Sequence, residues 1–262
     1  MKRLLFLLLS IFILSTLLYG CSSKESIKVK DKNTVVIGID DTFVPMGFRD
    51  IKGNIVGFDI DLAKEAFHKM GLKVKFQPID WSMKETELNN GNIDVIWNGY
   101  TMTPERAKKV AFSKPYLKNR QVIVTLASSN INSLNDLKGK EVSTQDGSSS
   151  LDVLFENPKL VSTFKGKEPV LFDSFNDCFM DLEAKRSDAV VCDEILAQYY
   201  MNKRAKVPFK ILKEDLGKES YSVGLRKNSP LLAPLNKTLE EMKNDGTIKK
   251  ISIKWFGKDL EN

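Results

Sequence analysis

The chain has 262 residues, 42% of them hydrophobic and 28% charged, with a formal net charge of +6. That length carries one substantial core or two modest lobes. Its basic residues are spread along the whole sequence with no stripe interleaved with aromatics, which excludes nucleic acid as the expected partner.

Lys2 and Arg3 precede Leu4 to Leu18, an almost wholly apolar run. It suits the core of an export signal and is short for a membrane span, which needs roughly 20 apolar residues. Leu18-Tyr19-Gly20-Cys21 resembles the bacterial lipobox, which implies cleavage before Cys21 and lipidation of that cysteine. Residues 1–20 are therefore expected to be a lipoprotein signal peptide, and 21–33 a lipidated cysteine with a polar tether. Loss of Lys2 and Arg3 takes the net charge from +6 to +4, in keeping with life beside an anionic envelope surface. Cys178 and Cys192 have no C-x-x-C spacing, so the sequence offers no zinc or redox motif and no metal or cofactor is expected. Both are expected as buried thiols, with a disulfide in an oxidising compartment as the alternative.

Beyond the tether, strand-like and helix-like patches alternate. Val35 to Ile39 is β-branched, and a loop with Pro45 and Gly53 follows. From Asp59 to Met70, residues Ile60, Ala63, Phe67 and Met70 share one helical face, and Gly71 stops the helix. Val74, Phe76 and Pro78 alternate as a strand; Ser82 to Asn90 is a helix closed by Gly91; Ile93 to Trp97 is a strand; and Thr103 opens a helix. In the second half, apolar Val122 to Leu126 precedes a short helix over Ser133 to Lys138 and a strand over Glu141 to Thr144. A helix starts at Ser148, another spans Ser174 to Lys185, Ala189 to Cys192 is a strand, and Glu194 to Asn202 is a helix. The tail predicts a strand at Tyr221 to Leu225 and helices over Pro230 to Asn244 and Ile248 to Trp255. Such alternation predicts an α/β fold of parallel sheets with helices on both faces. "NGNIDVIWNG" (90–99) and "AKRSDAVVCD" (184–193) share one plan, with Asp94 and Asp188 in the same place. One βα unit used once in each of two lobes accounts for that echo.

Open α/β sheets bind ligands beyond the carboxyl ends of their strands. Those ends carry Asp40-Asp41-Thr42-Phe43, Asp80-Trp81, Asn98-Gly99-Tyr100-Thr101, Gln145-Asp146-Gly147-Ser148-Ser149 and Cys192-Asp193-Glu194, with no histidine. Thr103-Pro104-Glu105-Arg106 is a helix start, with threonine as cap and proline at the first helical position. By itself it is a capped surface helix bearing an arginine. Beside Asp40 and Asp193 it becomes an anion clamp facing two anionic cups, the arrangement a zwitterion requires.

The chain resembles the bacterial extracellular solute-binding proteins of family 3, the polar amino-acid receptors of ABC importers, and most of all their glutamine-binding members. "IGIDDTFVPMGFRD", "GNIVGFDIDLAKEA", "GNIDVIWNGYTMTPERAKKVAFSKPY", "LNDLKGKEVSTQDGSS", "RSDAVVCD" and "NKTLEEMKNDGTIKKISIKWFG" carry the likeness in family order. It implies a two-lobed periplasmic-binding-protein-like fold (type II), with two hinge strands and the ligand in the cleft. Lobe 1 would be 34–116 plus 222–262, and lobe 2 with the hinges 117–221. Carried over by position, Arg106 binds the ligand α-carboxylate with Thr101 as helper and Ser149 as backbone donor. Asp193 and the Gly99 carbonyl take the α-ammonium, Asp40 is the acid after the first strand, Phe43 and Trp81 are aromatic walls, and Gln145 lies near the ligand side chain. Asp41, Asp146 and Cys192 complete the expected side-chain subsite. The implied partners are a polar L-amino acid such as glutamine, arginine, lysine or cystine, an ABC permease with its ATPase, and the membrane through a lipid anchor on its extracytoplasmic face. A monomer is expected. The rival reading is a cyclohexadienyl or arogenate dehydratase on the same fold, for which Glu194 is the one obvious acid.

Overall fold

The computed structural model describes residues 33–203 and 208–260. The expected signal peptide, Cys21 and all but the last residue of the tether lie outside them. Among the described residues no helix is long and apolar enough to cross a membrane.

Strand β1 (Thr34–Ile39) is the β-branched run, and Val35, Val36, Ile37 and Ile39 are all buried, as a strand covered on both faces requires. The expected loop around Pro45 is instead a small antiparallel sheet of β2 (Thr42–Phe43), β3 (Gly47–Arg49) and β4 (Ile55–Val56), pieces too short to leave an alternation pattern. Helix α1 (Phe58–Lys69) buries Ile60, Ala63 and Phe67 as its spacing predicts, and Gly71 ends it with φ +72°. There follow β5 (Lys73–Pro78), a 3-10 turn over Trp81–Met83, α2 (Lys84–Asn89), β6 (Val95–Ile96), α3 (Pro104–Lys109) and β7 (Ala111–Phe112). The predicted strand over 93–97 shrinks to its centre: Trp97 packs in the core against Phe67 and Tyr116, and Asn98 already lines the cleft.

The chain then crosses on β8 (Leu117–Leu126) into a second sheet. Its remaining elements are β9 (Val142–Gln145), α4 (Ser149–Phe155), α5 (Pro158–Val161), β10 (Val170–Phe172), α6 (Phe175–Glu183), β11 (Ala189–Asp193), α7 (Glu194–Lys203) and β12 (Phe209–Tyr221). The return runs through β12 to β13 (Gly224–Leu225), α8 (Leu232–Asn244) and α9 (Thr247–Phe256). The sheet orders are β5-β1-β6-β13-β7 and β10-β9-β11-β8-β12. The sheets are mixed rather than wholly parallel. β13 runs antiparallel to β6 and β7, and β8 runs antiparallel to β11 and β12, because these strands carry the chain between the sheets. β8 and β12 pair from Leu117 opposite Tyr221 to Leu126 opposite Phe209, with register shifts between Ile211 and Lys218.

The sequence echo has a physical basis. Asp94 accepts the backbone N–H of Val36 at 3.0 Å, and Asp188 accepts that of Glu141 at 2.9 Å, so each carboxylate ties its own strand to the start of a parallel neighbour. Asp94 also takes Arg226 at 2.8 Å. Cys178 and Cys192 are buried free thiols, and burial pushes both thiols up.

Candidate functional site

Residues from both sheets enclose one small cavity lined by Asp40, Phe43, Trp81, Asn98, Gly99, Arg106, Gln145, Ser148, Ser149, Phe175 and Asp193. Asp40, Phe43, Trp81, Gly99, Arg106, Gln145, Ser149 and Asp193, all expected at the site, are in that lining, and Thr101 is not. Thr101 stands just behind it, 2% exposed, with its Oγ1 3.2 Å from Ser149 Oγ.

Arg106 is placed by a short local program. Thr103 caps α3 by accepting the Arg106 N–H at 3.2 Å, and Pro104 supplies the first helical residue. The guanidinium, one turn in, folds back over the Tyr100 ring at 5.1 Å and is only 5% exposed as a residue. It donates to the Thr101 carbonyl at 3.1 Å and, across the cavity, to the Gly147 carbonyl at 3.1 Å, and it pairs with Asp152 at 3.0 Å. Lys84 joins it, donating to the same Gly147 carbonyl at 2.7 Å and lying 5.4 Å from the centroid of the Trp81 ring. Burial, then the neighbouring Arg106 charge, lowers the Lys84 ammonium to about 8. Glu85 lies between these cations. Burial opposes its charge, but Lys84, the Tyr100 hydroxyl at 2.8 Å and Arg106 outweigh that and hold the carboxyl below its ordinary value.

The acids sit apart from these cations. Asp40 accepts the Thr42 N–H and hydroxyl at 2.9 and 2.6 Å on one oxygen, and Gln145 Nε2 at 2.7 Å on the other. Burial raises its pKa against those hydrogen bonds. Asp193, at the end of β11, accepts from the Tyr221 hydroxyl and Asn119 Nδ2, each at 2.6 Å, and from Gln121 Nε2 at 3.1 Å. Desolvation and then the neighbouring Glu219 push its carboxyl well up. Beneath the floor, Asp59 accepts the Gly99 N–H at 2.6 Å and the Tyr116 hydroxyl at 2.8 Å, which fixes the Gly99 peptide. Gly99 has φ +56°, and a Cβ there would lie 2.5 Å from the Phe43 ring, so the position needs glycine.

Ser149 is the first helical residue of α4, behind Ser148 as cap. Of the expected side-chain subsite only Gln145 faces the cavity. Asp41 is taken by Arg49 at 2.5 Å, and neither Asp146 nor Cys192 lines the space. Glu194 is also elsewhere, gripped by both arms of Arg120 at 2.8 and 2.6 Å.

Sequence reasoning missed Phe175, whose ring centroid lies 5.9 Å from that of Phe43. It also missed Asn98, whose buried amide has no hydrogen-bond partner on either atom. Lys84 and Glu219 escaped as well, since each sits in a charged stretch that reads as a solvated face. The free volume is about 10 Å³, roughly one water, because Gln145 reaches Asp40 and Gly147 reaches Arg106 and Lys84 from wall to wall.

Comparison with known proteins supplies the context. The family model described as "Bacterial extracellular solute-binding proteins, family 3" matches residues 35–258. The arginine-binding extracellular protein ArtP of Bacillus subtilis (strain 168) is 32% identical over 257 residues, covering 98% of each chain. A crystal structure of an ABC uptake transporter substrate-binding protein from Streptococcus pneumoniae with bound histidine has a TM-score of 0.85 at 42% identity, over 87% of this chain and 94% of that one. An ancestral arginine-binding protein bound to glutamine gives a TM-score of 0.80 at 43% identity, over 87% of this chain and all of its own.

Proposed function

This chain belongs to the bacterial extracellular solute-binding proteins of family 3, and from that premise we propose that it binds a polar amino acid in its interlobe cleft and delivers it to an ABC importer. The observation that carries this reading is charge placement. A buried guanidinium shares the cavity with Asp40 and Asp193, two buried carboxylates that form no ion pair among the described residues. A zwitterion satisfies both poles at once.

On this reading the ligand α-carboxylate takes the place now held on Arg106 by the Gly147 carbonyl and Asp152, helped by Thr101 and the N–H of Ser149. The α-ammonium goes to Asp193 and the Gly99 carbonyl, with Asp40 as the further acid. Phe43, Trp81 and Phe175 pack against the carbon skeleton, and Gln145 meets the side chain. A 10 Å³ space admits no amino acid, so the walls must part for entry and close again on the bound ligand. Residues 34–116 with 222–262 serve as one lobe and 117–221 as the other, and the paired strands β8 and β12 support the assignment of the hinge to the crossings near Leu117 and Tyr221. The ligand shifts this equilibrium only through its greater affinity for the closed form. Charge-assisted hydrogen bonds of about 1.5–3 kcal/mol each suffice. Lipidation at Cys21, a tether to 33, display on the outer face of the cell membrane and action as a monomer complete the proposal. Their support is the lipobox-like sequence and the charged linker.

The dehydratase alternative loses its acid, because Glu194 is spent on Arg120 and lies off the cavity. Arginine, histidine and glutamine, the ligands named for the relatives, are the first to try. Calorimetric titration of Arg106→Ala should show binding weakened at least about a hundredfold, the loss of roughly 2.7 kcal/mol. Near-parental affinity in a folded variant would remove Arg106 from the site.

A further inference from the structure

Two carboxylates from different strands meet at the edge of the cleft. Asn119 Nδ2 is 2.6 Å from Asp193 Oδ1 and 2.6 Å from Glu219 Oε1. Gln121 Nε2 likewise serves both, at 3.1 and 2.8 Å. Two nitrogens can each be hydrogen-bonded to the same two oxygens only if those oxygens are neighbours. Ser149 Oγ, itself in the cavity wall, stands 3.5 Å from Glu219. No lysine, arginine or histidine among the described residues forms an ion pair with either acid. Arg120, between Asn119 and Gln121, is on the other face of β8, occupied by Glu194 and Asp215.

Two ionised carboxylates this close, Asp193 buried and Glu219 half-buried, repel each other, and one shared proton relieves the repulsion. We propose that Asp193 and Glu219 act as one unit that holds a proton until the ammonium of the bound amino acid replaces it, so that Glu219 belongs to the ammonium subsite and ligand binding is coupled to proton release. This rests on the reading that Asp193 receives the ammonium. The balance is simple: one carboxyl O–H bond breaks, the proton goes to solvent, the ammonium N–H bonds replace it, and no electrons are transferred.

The groups facing the pair do not confuse the count. Tyr221, bonded to Asp193, has Tyr116 behind it, and both hydroxyls are pushed up by burial; so is the adjacent Cys192 thiol. Glu194 is held ionised by Arg120. Asn119, Gln121 and Ser149 do not titrate, and Asp40 and Arg106 lie across the cavity with their own partners.

The test is titration calorimetry with L-arginine and L-glutamine, whose charges are constant between about pH 5 and about pH 7. Measuring in two buffers of different ionisation heat yields the protons exchanged. The parent should release close to one proton at about pH 5, with log Kd falling by up to about one unit per pH unit over the same range. Glu219→Gln should still bind but release few protons and lose the slope, while Glu219→Asp keeps both. Binding by the parent with no proton exchange and no slope, or a Glu219→Gln variant that releases as many, overturns the proposal. If the parent binds neither ligand nor any other amino acid, the receptor reading itself fails and this inference with it.

Discussion

Asp59 shows how a residue outside the cleft can shape it. It is fully buried, and burial raises its carboxyl to about 7 despite the hydrogen bonds from Gly99 and Tyr116. An acid whose folded pKa lies above its unfolded value binds more protons folded than unfolded, so its contribution to stability falls as pH rises from about 4 to about 7 and levels off above that. Asp59→Asn should remove that part of the pH dependence. The difference in melting temperature between variant and parent, followed across that range, should therefore move in the variant's favour as pH rises; a difference independent of pH would contradict the assignment. Gly99→Ala places a methyl against Phe43 at a φ of +56°. It should weaken amino-acid binding by about tenfold or more, since strain of this kind costs about 1–3 kcal/mol. At this scale much of the cavity lining was legible, because Asp40, Phe43, Trp81, Gln145 and Asp193 stand at or just after strand ends that open on the cleft. Asp41 and Asp146 misled because sequence does not reveal that Arg49 takes one and that the other turns away. Glu219 escaped because a carboxylate within "KEDLGKES" looks solvated until β8 supplies two amides to it.

Among the elements, long periodic ones read directly from the chain, as α1 and β1 illustrate. The short ones did not: β2 to β4 have two or three residues each and gain their hydrogen bonds from one another rather than from a pattern. The antiparallel course of β8 and β12 was equally hidden, since strand direction depends on where the chain goes next. α3 owes its start to Thr103, and Thr103→Ala should cost about 1 kcal/mol in urea unfolding as well as loosening Arg106. The loop before α4 matters for closure. Gly147 has φ +67°, and a Cβ there would lie 2.7 Å from Ser82 Cα across the cleft. Ser82 is backbone that has little freedom to yield. Gly147→Ala should hold the walls apart, weakening ligand affinity about tenfold, with a larger radius in solution scattering; unchanged affinity would contradict the closed contact.

As a whole, the molecule is two five-stranded sheets and a small three-stranded one, with the strands β8 and β12 paired at the crossing and a cleft that holds Arg106, Asp40 and Asp193. On the proposed function this cleft receives a polar amino acid. The direct test is a thermal-shift scan of the protein from Ser22 onward against the common amino acids and cystine at millimolar concentration. A ligand at about a hundred times its dissociation constant adds about 2.7 kcal/mol to stability. A clear rise in melting temperature is expected with one or a few polar amino acids, lost in Arg106→Ala. A folded protein whose melting temperature no amino acid raises would contradict it.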